Sequence, residues 1–374
     1  MYNMSNEIDK GGLGSMVFDM KRYSCYAKRC LGYLLILLFF GCAAHFDESA
    51  IDQDFKAVKL EYLSEVDIRM QNPIFYSQGD CIYALDSKGF SLSKFQVTDN
   101  LDWEVAKFLQ LPEGKGPGEF ISPGSICADN LNRVIVVDNN LSRVTLFDKD
   151  LNFEDTFYIN YEGTIGTGDG MVDCTEDNNL ILSYVHYAKP DKDMLVYDYD
   201  NGKIVKKMGR DVLVDPDKLA SYLSVVGNFY YVDGDVFRIT LAPRLYIYKS
   251  SGKVIPIEIN RYLKRYNIHL VKPGISGVKD NVVKSVKGQK GVQEYGLIRY
   301  LNGEGVFLVI ADYDDHRFLF FKLDKKGNFS EKYVIRNELI SEEQYNKVFW
   351  YDENAIALYD RNSTKIKLFR LMIE

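Results

Sequence analysis

Histidine is scarce in this chain of 374 residues, with four copies, and His45, His186, His269 and His316 are scattered without a partner at metal-ligand spacing. A zinc site is therefore not expected. No Gly-x-Ser-x-Gly motif and no evident cysteine–histidine pair occurs, which removes the usual nucleophile signatures of a hydrolase. No Gly-x-x-x-x-Gly-Lys-Ser/Thr loop leads into a helical pattern, so the glycine-rich stretch near residue 116 is not read as a phosphate cradle. The apolar run Leu31 to Phe40 is far shorter than the roughly 20 residues a membrane-crossing helix needs. Excess positive charge is lacking as well: the formal net charge is −7, which disfavours nucleic acid as a partner.

The amino terminus carries Lys21, Arg22, Lys28 and Arg29 ahead of that apolar run, which ends at Gly41-Cys42. Basic flank, short apolar segment and small residue come in the order of a signal peptide, here residues 1–41. Initiation at Met16 or Met20 would give a more usual signal length. Residues 42–54 contain Asp47, Glu48, Asp52 and Asp54 and are most simply a solvated tether. With Cys25 and Cys30 in the signal, Cys81, Cys127 and Cys174 remain beside Cys42, an odd number that cannot all pair. Buried thiols outside any disulfide are the favoured reading, and a Cys127 to Cys174 bridge stays open.

What the chain has in abundance is aromatic: 27 Tyr and 22 Phe suit pleated, half-buried strands. Phe95, Phe147, Tyr197, Tyr248, Phe321 and Phe369 mark the end of a third strand in each of six units, spaced about 50 residues apart with one interval about 20 longer. Second strands are expected at Cys81 to Leu85, Val134 to Val137, Leu180 to Tyr184, Asp235 to Thr240, Val306 to Ala311 and Ile356 to Tyr359, with turn signals such as Asp129-Asn130, Asp177-Asn178 and Asp233-Gly234 just before several of them. The last unit ends without a fourth strand, which Phe55 to Leu60 would supply to close a ring.

The unit spanning Gly116, Pro117, Gly118, Phe120, Pro123, Val136-Val137-Asp138, Arg143 and Phe147-Asp148 resembles the NHL-type repeat. The chain from about Ile51 onward resembles the six-bladed, TolB-like propeller lipoproteins. The expectation is an all-β fold: a six-bladed β-propeller of four-stranded antiparallel blades over residues 55–374, its ring closed by an N-terminal strand. Asp138 and Arg143, and at the same spacing Asp360 and Lys365, are expected to interact across a hairpin. Phe39-Phe40-Gly41-Cys42 is similar to a bacterial lipobox, and the likeness implies acyl chains on Cys42 and an exported, outer-membrane lipoprotein, periplasmic or surface-facing. Asp47-Glu48 faintly resembles the acidic signal for surface display.

The long interval holds a basic insertion, residues 261–290, with Arg261, Lys264, Arg265, Lys272, Lys279, Lys284, Lys287 and Lys290 against Asp280 alone. Such an arm on an acidic body fits an anionic glycan, a lipid headgroup, or a peptide or envelope protein with an acidic face, and Tyr262 and Tyr266 stand where a sugar ring would stack. The leading expectation is a non-catalytic binding module without a cofactor. A divalent metal at the central channel, as in lactonase-like propellers, and a structural docking subunit are the alternatives. Asp312, Asp314 and Asp315 are weak metal candidates, because their spacing lacks the glycine and distal glutamate of a calcium loop.

Overall fold

The structure is a computed structural model that describes residues 48–373, apart from 71–72, 79, 99, 160–163, 166–170, 186–190, 213–226, 241–243, 267, 269–293, 300–305, 313–314, 338–339, 341–344 and 351–354. Two compact units divide the chain, Met1–His45 and Phe46–Glu374, and every described residue belongs to the second. The signal segment and Cys42 lie outside the described residues. No helix among the described residues is long and apolar enough to cross a membrane.

The second unit is an all-β propeller of small antiparallel sheets. A short helix α1 (Glu48–Asp54) and a long strand β1 (Lys56–Asp67) come first. One sheet follows as β2 (Ile74–Gln78), β3 (Cys81–Asp86), β4 (Ser91–Val97) and β5 (Trp103–Gln110), and the next as β6 (Pro123–Ala128), β7 (Val134–Asp138), β8 (Arg143–Phe147) and β9 (Phe153–Tyr158). The third has β10 (Thr164–Ile165) and β11 (Val172–Cys174) both on β12 (Leu180–Val185), then β13 (Asp191–Asp198) and β14 (Lys203–Val212). The fourth contains β15 (Phe229–Val232), β16 (Asp235–Thr240), β17 (Arg244–Tyr248) and β18 (Val254–Ile257), and leads into helix α2 (Ile259–Leu263) and a 3-10 turn (Lys264–Tyr266).

The remaining strands are β19 (Glu294–Arg299), β20 (Val306–Asp312), β21 (Arg317–Leu323), β22 (Phe329–Arg336), β23 (Tyr345–Trp350), β24 (Ala355–Asp360) and β25 (Lys365–Ile373). With β1 they form one eight-stranded sheet in the order β19-β20-β21-β22-β1-β25-β24-β23. Among the described residues four sheets therefore stand alone at blade size, short of the six units expected from the repeat. The difference arises because β1 bonds on both edges: antiparallel to β25 from Val58 to Asp67, and parallel to β22 through Lys56, Ala57 and Val58. The six marker aromatics all fall on the strands expected of them, β4, β8, β13, β17, β21 and β25.

Burial explains why the second and third strands were legible. Strands β7, β16, β20 and β24 are buried along their whole length, so both faces are covered; β7, β20 and β24 read as apolar runs up to a terminal aspartate, while β16 carries Asp235, Arg238 and Thr240 among its apolar residues. The fourth strand β9 is mostly exposed, with Glu154 and Asp155 in water and Phe153 and Tyr158 exposed beside them. Apolar clusters fill the gaps between sheets. One joins the first three, with Tyr76, Val136 and Leu182; another joins the third to the fourth through Ile181, Phe229 and Tyr246. A third unites Phe237 and Ile247 with Leu308 and Phe321, a fourth Phe307 and Phe320 with Ile356 and Phe369, and a fifth Phe75 and Ile82 with Ala357 and Tyr359.

The expected solvated tether is corrected over its last seven residues, which form α1 and dock. Ile51 and Phe55, four apart among acids, are both buried in the cluster around Phe321, and the Phe55 ring meets Tyr266 and Phe321 edge-on at 5.2 and 5.1 Å. Asp54 accepts a hydrogen bond from the Tyr266 hydroxyl at 2.8 Å and one from Arg265 Nη2, and Asp52 accepts from Arg336 Nη2 at 2.8 Å. Removing the Phe55 ring should leave a cavity costing about 3–5 kcal/mol. Phe55→Ala is thus expected to lower the urea midpoint with an unchanged slope, measured by equilibrium unfolding.

Candidate functional site

First strands of four sheets meet at one buried carboxylate. Asp173 on β11 accepts hydrogen bonds from the Tyr76 hydroxyl of β2 at 2.7 Å, from its neighbour Cys174 N at 2.9 Å and from Tyr231 N of β15 at 2.7 Å. The same Tyr76 hydroxyl lies 3.4 Å from the Ala128 carbonyl of β6. Asn228, just before β15, carries the pattern onward to β19 by donating its amide to Leu297 O at 2.9 Å. A carboxylate taken out of water needs such donors on both oxygens, so Asp173 links strands that share no ladder. Beside it, Cys127 Sγ of β6 and Cys174 Sγ of β11 touch at 3.2 Å as thiols rather than as a disulfide.

The glycine-rich stretch crosses from β5 to β6. Gly114 N donates to Phe120 O and Phe120 N to Pro112 O, which folds the segment back on itself, while Gly118 adopts the left-handed φ of +75°. A Cβ at Gly118 would sit 3.0 Å from the Phe153 ring, and that close approach together with the φ requires glycine. The Gly116 N–H is taken by Glu119 Oε2 at 2.6 Å, so an acid of the chain itself occupies the donor that a phosphate would seek. Pro117 is exposed at the tip, and Phe120 stacks on Phe147 at 6.3 Å.

Asp138 and Arg143 face each other in the β7–β8 ladder but take separate partners, which corrects the expected cross-hairpin pair. Asp138 Oδ2 accepts from Ile121 N and Ser122 N at 2.7 and 3.0 Å, and Arg143 Nη1 donates to Lys115 O and Gly116 O at 2.9 and 2.8 Å. Both side chains pin the crossing to the hairpin. The second expected pair is corrected likewise: Asp360 accepts from Lys367 Nζ at 2.8 Å, while Lys365 pairs with Glu65 of β1.

Further buried charges stand where sequence reasoning had not looked. Asp193 Oδ2 lies 3.1 Å from Arg210 Nη2, 3.3 Å from Arg238 Nη1 and 3.2 Å from the Tyr248 hydroxyl. Arg238 also donates to Ser183 Oγ at 3.0 Å, and the Arg210 guanidinium lies over the Tyr246 ring at 4.2 Å. The available signal was a charge inside an apolar strand: Asp173 between Val172 and Cys174, Arg238 between Phe237 and Ile239.

The metal candidates are corrected by their neighbours. Asp312 Oδ2 and Asp315 Oδ2 each accept from Arg317, through Nε and Nη2 at 2.9 Å, so a guanidinium stands where a cation would sit; Asp314 lies outside the described residues. Among the described residues no three His, Cys, Asp or Glu side chains gather as metal ligands.

Of the basic insertion, Arg261 and Lys264 are exposed at α2 and the 3-10 turn. Arg265 is drawn to Asp54. Tyr266 is fully buried with its hydroxyl on Asp54, and Tyr262 packs at 4.3 Å against Phe329, so neither ring is set out as a sugar platform. Lys272, Lys284, Lys287 and Lys290 lie outside the described residues.

No protein-family model matches the chain. Among curated proteins, lin-41 of Caenorhabditis elegans is 54% identical over 41 residues, 11% of this chain, and the chain spans 4% of the length of that relative. Two solved structures are similar along most of it. One is a protein of Bacteroides fragilis NCTC 9343 named for its inferred export, at 15% identity, with 85% of this chain and 95% of that one covered and a TM-score of 0.52. The other is a member of the duf4221 family from Bacteroides vulgatus ATCC 8482, at 12% identity, with 85% and 98% covered and a TM-score of 0.55. At such identities the likeness speaks for the fold alone.

Tyr76→Phe takes one hydrogen-bond donor from the buried Asp173 carboxylate, and the expected loss is about 1–3 kcal/mol of stability in denaturant titration, with the far-UV spectrum unchanged. At Asp312 two effects oppose: burial raises the carboxyl and Arg317, shared with Asp315, lowers it, and burial prevails to put it at about 6. A raised acid favours the fold while protonated and loses that advantage as pH climbs through its folded pKa. The stability of the native protein relative to Asp312→Asn should therefore fall between pH 4 and pH 7, measured as the difference of two unfolding curves at each pH.

Proposed function

We propose that the protein is an exported, lipid-anchored, six-bladed propeller acting as a non-catalytic binding module, its ligand surface centred on the basic segment that begins at Arg261. Support for six blades comes from the eight-stranded sheet, which divides into β19–β22 and β23–β25 plus β1, two sets of four meeting at three parallel pairs. In this reading β1 is the fourth strand of the last blade. The cluster joining Phe75 and Ile82 to Ala357 and Tyr359 then closes the ring.

The observation that carries the binding reading is the contrast in commitment between buried and exposed charges. Asp173, Asp193 and Asp312 are buried and spend their oxygens on donors of the chain itself. Arg261 and Lys264 are exposed and take no side-chain partner among the described residues. Cations left in water beside an acidic body suit an anionic ligand, whether a glycan, a peptide or the acidic face of an envelope protein. The anchor reading rests on the signal order and on Gly41-Cys42.

One fractionation tests both halves. In a bacterial host the full chain is expected in the membrane fraction and Cys42→Ala in the soluble one; a Cys42→Ala protein that stays membrane-bound overturns the anchor. Solubilised protein is expected to be retained on a sulphated-glycan resin and released by salt, and Arg261→Gln with Lys264→Gln to elute at clearly lower salt. An unchanged elution position overturns the basic surface.

A further inference from the structure

We propose that Cys127 and Cys174 are a redox pair whose oxidation staples two neighbouring blades beside the Asp173 contact. Three observations carry it. The sulfurs touch at 3.2 Å although the residues are 47 apart in sequence. Neither cysteine sits on a loop: Cys127 is held opposite Ile135 in the β6–β7 ladder and Cys174 opposite Leu180 in the β11–β12 ladder, so two separate sheets build the contact. Both side chains are buried in one apolar cluster, which excludes competing thiols once the sheets have docked. A bond of about 2.05 Å asks the sulfurs to approach by roughly another 1 Å.

The surroundings also say what the pair is not. Burial pushes the Cys127 thiol well above its ordinary range, and the neighbouring Cys174 thiol and the Asp173 and Asp129 carboxylates push the same way. A thiol so placed is a poor nucleophile, unlike the low-pKa cysteine of a thiol-exchange catalyst. The pair is structural, and it closes while the third blade docks.

The chemistry needs a disulfide-bearing donor, small molecule or protein. Cys174 Sγ, as thiolate, attacks one donor sulfur, and the donor's other sulfur leaves carrying the electron pair of the broken S–S bond. While the third blade is still undocked and water reaches the pair, Cys127 Sγ, as thiolate, attacks Cys174 Sγ in the mixed disulfide and expels the first donor sulfur. Two thiol protons and two electrons pass to the donor, which ends as two thiols.

The consequence is local to the first strands. Cys174 N already donates to Asp173 Oδ1, so a bond at its sulfur fixes the strand that presents the shared carboxylate. The cellular setting alone rests on the export reading, since such bonds persist in oxidising compartments.

The test refolds the denatured, reduced full chain in a buffer of reduced and oxidised glutathione, then unfolds it, blocks thiols with iodoacetamide and maps peptides by mass. The expected result is a linked peptide pair holding Cys127 and Cys174, two hydrogens lighter than its parts, with Cys81 alkylated. The oxidised protein should melt about 5 °C above the same sample treated with reductant. Folded protein with both cysteines alkylated, or with Cys81 taking either place, overturns the proposal. Protein drawn from cells and blocked at lysis separates the two readings: a bond formed in the refolded chain but absent in cells upholds the pair and removes export.

Discussion

Each small sheet has two apolar faces, and nothing but a neighbouring sheet is available to cover them. Strands such as Val134–Asp138 and Val306–Asp312 are buried from end to end, so an isolated sheet would expose most of its apolar surface to water. Stacking answers this with apolar clusters between the sheets, from the one around Val136, which joins three sheets, to the one around Tyr359. Outer strands are freed from that demand, which is why β9 carries Glu154 and Asp155 in water.

Packing sheets by their faces crowds their first strands together, and there the problem changes from apolar area to hydrogen bonding. Those strands are edges whose backbone groups lack a ladder on one side. Asp173, Tyr76 and Asn228 supply partners across that boundary. Buried charge is used the same way elsewhere: Arg143 holds the carbonyls of the glycine-rich crossing, and Asp193 gathers two arginines between the third and fourth sheets. Burying an ion is costly unless it is matched, so these groups specify how sheets meet more than they add to stability.

The amino-terminal segment belongs to this scheme. Ile51 and Phe55 join the cluster shared by the fourth sheet and β20–β22, and Asp54 pairs with Arg265, which stays exposed. The acidic helix pairs with Arg265 and Arg336 and leaves Arg261 and Lys264 as exposed cations without a side-chain partner among the described residues. Charge that the linear sequence shows as one block is thus divided between internal pairing and the surface.

By itself the sequence determined the repeat, the second strands and the third-strand aromatics, because a strand covered on both faces must be a continuous apolar run whatever its neighbours are. It also shows the basic residues and the short apolar run ahead of Cys42, and the excess of lysine after Arg261. Tertiary structure alone decided which charges are spent. Asp138 and Arg143 looked like a pair by spacing, yet each turns to the crossing segment, since the ladder sets their backbones opposite without setting their side-chain partners. Asp312 and Asp315, weak metal candidates by spacing, have Arg317 between them, and the Tyr266 ring is met by Phe55. The sequence shows Asp173 as a charge inside an apolar strand but not its partners, because its donors come from strands far apart in the chain and meet only when the sheets have packed.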